Sequence, residues 1–278
     1  MRKQGITLIE LLIAAVIGVA ILTLIATSLR GSTDSIRFVQ NSQMLTEDIR
    51  TAGNLISDYL STASFVYPPG TVITLNTLSS YTVRNPITNT NVWTIGTHPA
   101  VAMLQPINPG SGEFRFVMIY AMNRGWVTNR TPSSEIPERS VPNDNKWVLY
   151  IYEVLVNVDV ANRLPNGLPL TIPTRFPIVS TPGGNSGKLL ADYVAPNRFT
   201  VSYPDCLGFD EAGIATLVSC PTAPPTPLQA AHSSARIAFS LQGEIHQGGR
   251  DTRVPSNPLS FQAAPRNLAK RLSDITRN

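Results

Sequence analysis

Apolar residues are distributed in three regimes along the chain. From Ile6 they run almost without interruption to Leu29, and up to Ile25 only Thr7, Glu10 and Thr23 carry polar side chains. At about 1.5 Å per residue, the run to Ile25 gives about 30 Å of helix, the thickness of a bilayer core. Past Leu29 the chain turns polar. Apolar residues then recur at Leu45, Ile49, Ala52, Ile56, Tyr59 or Leu60, and Ala63. That three-and-four spacing is one stripe of an amphipathic helix, with Glu47, Asp48, Arg50 and Asp58 off the stripe. No proline occurs before Pro68. The pattern therefore predicts one long helix ending at Phe65–Tyr67, ahead of Pro68-Pro69-Gly70. Gly31 and Gly53 each cost about 1 kcal/mol relative to alanine in a helix and are candidate bends.

From Pro68 the texture changes to Pro, Gly, Asn, Ser and Thr, with short apolar runs between. Thr71–Leu75, Val92–Ile95, Phe114–Met122, Trp147–Val156, Phe199–Tyr203 and Ala235–Leu241 read as strands. Trp147–Val156 is the clearest central strand, rich in aromatic and β-branched residues and free of breakers. Asn123–Asn145 and Pro221–Pro227, punctuated by prolines, read as surface loops. The expected fold class is α+β, a long N-terminal helix packed on an antiparallel β-rich head at residues 68–278. The stripe on residues 30–67 is expected to pack on the head's own sheet. A groove for a partner is the alternative.

The residues before the apolar run sharpen this picture. Arg2 and Lys3 precede it and no acid does, which predicts a cytoplasmic N-terminus and everything after the run on the far side of the membrane. A conventional signal peptide has an apolar region of roughly 7–15 residues, shorter than this one, and Leu29-Arg30-Gly31 is a poor cut site. A plain signal anchor explains the length but not Glu10, which would cost about 2.5–3.5 kcal/mol at the centre of a membrane helix and less near its end. Gly5-Ile6-Thr7-Leu8-Ile9-Glu10 resembles the class III leader of type IV pilins and type II secretion pseudopilins: glycine before the cut, a hydrophobic residue after it, and glutamate at the fifth mature position.

The resemblance implies that residues 1–5 are removed by a prepilin peptidase cutting between Gly5 and Ile6. It also implies that the new amine of Ile6 is methylated, and that residues 6–29 stay as a transmembrane and polymerisation helix. It assigns Glu10 to assembly, paired with the N-terminal amine of a neighbouring subunit. Opposite charges attract strongly in low dielectric and offset each other's desolvation. The plainer reading is that Glu10 sits near the interface and snorkels to water. Ile6 in place of the usual phenylalanine, and the absence of a helix proline, fit a minor subunit better than a bulk one. Glu10 argues against the tip pseudopilin that lacks this acid.

The head extends the likeness in order along the chain. Arg50-Thr-Ala-Gly53, the tyrosine-bearing Trp147–Val156, Leu190–Val194 leading into Phe199–Tyr203, Arg236–Leu241 and Pro265–Asn267 resemble PilW-like minor pilins and J-type pseudopilins. Residues 68–145 lie largely outside that likeness.

In an exported head, Cys206 and Cys220 are expected to pair. The bridge would close a loop of about 15 residues and contribute about 3 kcal/mol in the chain-entropy model. A paired loop near the C-terminal part also resembles the pilin disulfide region. Two free thiols or a metal pair are the alternatives, although no Cys or His stands at ligand spacing. The precursor carries a formal charge of +4, and Arg2 and Lys3 would leave with the leader. Basic residues gather after Ala230, among them Arg266, Lys270 and Arg271. They are candidate DNA contacts through counterion release; a solvated tail, or one pairing with an acidic subunit, is the alternative.

Catalytic chemistry finds no constellation. His98, His232 and His246 are scattered. Gly183–Lys188 lacks the first glycine of a phosphate loop and has Leu189 where the hydroxyl belongs, so it reads as a turn. Asp205, Asp210 and Glu211 could coordinate calcium beside Cys206, yet they follow no EF-hand pattern. Asn129-Arg-Thr131 matches a glycosylation sequon of a kind that occurs by chance. No cofactor is expected. The expectation is a non-enzymatic minor type IV pilin that joins other pilin subunits and the assembly platform, priming the fibre or capping it, in support of motility, adhesion or DNA uptake. The alternatives are a J-type pseudopilin of a type II secretion system, and a DNA-binding or adhesive tip module.

Overall fold

The computed structural model describes residues 8–75, 83–107, 113–129, 136–157, 187–209, 215–220 and 232–265. Helix α1, Leu8–Thr62, is continuous for 55 residues and leads into an antiparallel β domain. It stops three residues short of the expected range. Phe65 and Val66 form a short strand, β1, opposite Leu104 and Met103 instead. β-branched and aromatic side chains gain more on a pleated, half-buried surface than in a helix end. The last carbonyls are not left orphaned. Gln105 Nε2 donates to Tyr59 O at 3.0 Å, and the Thr62 hydroxyl turns back to Asp58 O.

The remaining strands are β2 (Val72–Thr74), β3 (Val92–Thr94), β4 (Ala100–Pro106), β5 (Glu113–Asn123), β6 (Trp147–Asn157), β7 (Lys188–Val194), β8 (Thr200–Phe209), β9 (Ala215–Val218), β10 (His232–Gln247) and β11 (Arg250–Ala263). β2 and β3 make a separate ribbon. The main sheet runs β1-β4-β5-β6-β7-β10-β8-β9, and β11 pairs with β10. β10 is the pivot: His232–Ser240 pairs with β8, and Gly243 meets Val194 of β7.

Strands β4, β5 and β6 are buried on both faces, and their period of two sorts residues between two cores. Val101, Met103, Val117, Ile119, Ala121, Leu149 and Ile151 face the layer that holds Leu45, Ile49, Ile56 and Leu60 of α1. Phe116, Met118, Tyr120, Tyr150 and Tyr152 face an aromatic layer closed by Phe65, Tyr67 and Trp93. The stripe on α1 thus packs on the head's own sheet, the first of the two expectations.

One sequence reading needs correction. Asn123–Asn145 is not a plain surface loop in its described parts. It holds a short helix, α2 (Arg124–Thr128), and a 3-10 turn at Val141–Asn143, and Arg124, Val127, Thr128 and Asn143 are buried. Asn123 caps α2 by accepting from Trp126 N. Gly125 lets the Asp144 backbone come close, where a Cβ would lie 2.9 Å from Asp144 O. Gly53 has a packing role that its spacing does not reveal. Its missing Cβ makes room for the ring of Phe261, which stacks on Phe239 with centroids 5.0 Å apart. Pro221–Pro227 lies outside the described residues, as do residues 183–186 of the Gly183–Lys188 turn; Lys188 opens β7.

Candidate functional site

The apolar half of α1 is long and apolar enough to cross a membrane, and none of that span is buried against the head. Leu8, Leu12, Val16, Val19, Leu22 and Leu29 are each more than half exposed. A helix apolar on all sides is stable only when something apolar surrounds it. Its threonine hydroxyls at 23 and 27 are satisfied internally, as lipid demands: Thr23 Oγ1 donates to Val19 O at 2.8 Å and Thr27 Oγ1 to Thr23 O at 2.9 Å. Glu10 stands in the first described turn, on the exposed surface of this segment. Gly5 and Ile6 lie outside the described residues.

The other half of α1 is locked to the head. Leu45 packs against Gly243, where a Cβ would lie 2.8 Å from Leu45 Cγ. Tyr59 Oη donates to Glu153 Oε1 at 2.9 Å, and Asn41 Nδ2 donates to Gln247 Oε1 at 3.3 Å. Burial of Tyr59 and the hydrogen bond with Glu153 both hold the phenol above its usual range. Contacts from Asn41 to Tyr59 thus couple this half of α1 to the sheet along its length.

Where β5 ends and β6 begins, two cations are fully buried, a feature that the sequence analysis did not anticipate. Arg124 donates from Nε to Asp192 Oδ1 at 2.8 Å and lies over the Tyr193 ring at 4.5 Å. Lys146 bridges Glu244 and Asp251, the latter at 2.9 Å, while Arg253 donates to Glu244 Oε2 at 2.9 Å. The two sites are joined by Arg124 N donating to Lys146 O at 2.8 Å. Burial opposes ionisation of Glu244, but hydrogen bonds from Lys146 and Arg253 and their charge hold its carboxyl below the usual range. Hydrogen bonds from Lys146 and His246 do the same for Asp251. These groups tie the β5–β6 connection, β7 and the β10–β11 hairpin into one unit. A lysine next to an apolar strand carries no sequence signal for burial, because lysine is nearly always exposed unless paired.

Cys206 and Cys220 form a disulfide across 14 positions, fastening β8 to the segment after β9. Arg266, Lys270 and Arg271 lie outside the described residues. Other basic residues of this part of the chain are engaged within the head: Arg236 bridges Asp205 at 2.7 Å and Arg253 is held by Glu244. Among the described residues no group of three or more His, Cys, Asp and Glu could hold a metal ion. A small cavity of about 200 Å³ is lined by His98, Trp147, Asn197 and Phe199 among others. His98 Nδ1 accepts from Thr94 N at 2.7 Å, and burial lowers the pKa of that ring, which favours the neutral form.

No family model, curated protein or solved structure matches the chain.

Proposed function

We propose that the chain is a minor pilin-type subunit, a non-enzymatic building block that enters a type IV pilus assembly through its N-terminal helix. One observation carries this reading: an exposed, uniformly apolar helix bearing a single carboxylate continues without a break into a helix clamped on a β head. Such a helix has two suitable surroundings, a bilayer before assembly and the helices of sibling subunits after it. Before assembly the helix sits in the inner membrane with the head outside the cytoplasm. A prepilin peptidase removes residues 1–5, the amine of Ile6 is methylated, and Glu10 meets the N-terminal amine of a neighbour. A J-type pseudopilin of a secretion system would use the same architecture.

The test follows both variants in cells that assemble the fibre. Gly5→Leu should accumulate in membranes as uncut precursor, and normal processing of it would refute the leader assignment. Glu10→Ala should be cut normally yet be recovered with sibling subunits at least about tenfold less, the loss of about 1.4 kcal/mol. Undiminished recovery would remove the charge-pairing role.

A further inference from the structure

We infer that the tip of the β10–β11 hairpin and the adjacent 3-10 turn form a contact surface for anionic lipid headgroups on the leaflet from which the head emerges. The inference rests on the reading of α1 as a membrane-spanning helix.

The hairpin runs towards the apolar half of α1. Asn41 holds Gln247, and Arg250 lies over the Phe38 ring at 6.0 Å. Phe38 follows Leu29 by nine residues, about 14 Å of helix. With Leu29 at the edge of the hydrocarbon, the headgroup layer takes up about 5–8 Å of that distance. The rest, roughly 6–9 Å, is no more than about a Debye length at physiological salt. A helix tilt of about 20° brings one side of the head closer still.

The chemistry of this end suits such a surface. Gly248 and Gly249, both at positive φ, make the turn and are exposed, so no side chain there keeps the backbone off a surface. Arg30, Arg37, Arg139 and Arg250 are exposed, and Asp34 and Glu138 offset two of them. The acids nearest the tip are already paired: Glu244 is buried against Lys146 and Arg253, and Asp251, though exposed, is neutralised by Lys146 and bonded to His246. The 3-10 turn is fixed at the same level by His246 N donating to Asn143 Oδ1 at 2.7 Å. It presents Val141, 65% exposed, beside exposed Pro142. Exposed Val141 and Pro142, with exposed arginines beside the turn, on the hairpin and on the adjoining stretch of α1, suit a headgroup layer, where arginine meets phosphate and the apolar residue enters the boundary.

The experiment uses the full chain in vesicles of phosphatidylcholine alone, or with a third phosphatidylglycerol. A fluorophore on Val141→Cys reports access of acrylamide, a neutral quencher. Quenching should fall several-fold in the anionic vesicles, and the effect should vanish when Arg139→Gln and Arg250→Gln are added or salt is raised. Unchanged circular dichroism checks the fold of each variant. Equal quenching in both vesicles overturns the contact surface and leaves a protein partner for this end. A second label, on Ile17→Cys, reports insertion alone. Open access there overturns the spanning reading and the inference with it, whereas a shielded Ile17 site with equal Val141 quenching overturns the contact surface only.

Discussion

Gly53 sits where a helix would gain about 1 kcal/mol from alanine, yet the ring of Phe261 fills the space in which a Cβ would lie. Phe261 is itself stacked on Phe239, so it cannot retreat without breaking that pair. Overpacking of this kind costs about 1–3 kcal/mol. Gly53→Ala should therefore lower the unfolding free energy in detergent, against its helix propensity. Gly53→Ala in a Phe261→Ala background should cost less than in the parent, a coupling that a double-mutant cycle reads directly. A Gly53→Ala variant more stable than the parent would show that propensity outweighs the contact. Spacing along the chain reveals such a glycine as a weak point. Only the partner strand, some 200 residues away in sequence, reveals it as a contact.

At the scale of elements, the β10–β11 hairpin depends on charges that the chain gives no hint of. Lys146 reaches Glu244 and Asp251, and Arg253 and His246 complete the ring around those two acids. Both carboxyls are held below their usual range, so each favours the folded state above its unfolded pKa. Stability from Glu244 is present above about pH 4.5 and is lost as pH falls through its lower folded value. Thermal unfolding should thus show the hairpin loosening below about pH 4.5, with a weaker pH dependence in Glu244→Gln. That variant should cost about 1–3 kcal/mol at neutral pH, because Lys146 keeps only Asp251. A Glu244→Gln variant with the parent's acid profile would exclude this origin. What the sequence made legible follows the same division. The stripe from Leu45 to Leu60 and the strands β5 and β6 declare themselves through period and unbroken apolar runs. β11 does not, because Pro255 and Pro258 fall inside it. The strand accommodates them at an irregularity of pairing, where Gln242 Nε2 donates to Pro255 O and Ser256 O, a device that no local pattern encodes. Arg124 and Lys146 show no local sign of burial for the same reason: their partners come from distant strands.

For the whole molecule, packing and anchoring are assigned to different parts of one helix. The buried residues of α1 are Leu45, Ile49, Ala52, Gly53, Ile56 and Leu60, all beyond the apolar half. Among the described residues, the head's two cores draw nothing from positions before Leu45. A chain starting at residue 35 should therefore stay folded and, with the exposed apolar surface gone, remain monomeric in water. Its melting temperature should match that of the full chain in mild detergent. A start at residue 51 removes Leu45 and Ile49, both almost fully buried, and uncovers the face of β10 at Gly243. Emptying such a site costs about 2–5 kcal/mol for each large aliphatic side chain, comparable to the whole stability of many domains. That shorter form should be unfolded or recovered as aggregate. If it melted like the longer one, Leu45 and Ile49 would be dispensable to the head despite their burial. If the longer form aggregated, the apolar half would instead be shielding part of the head, contrary to its exposure along the entire span.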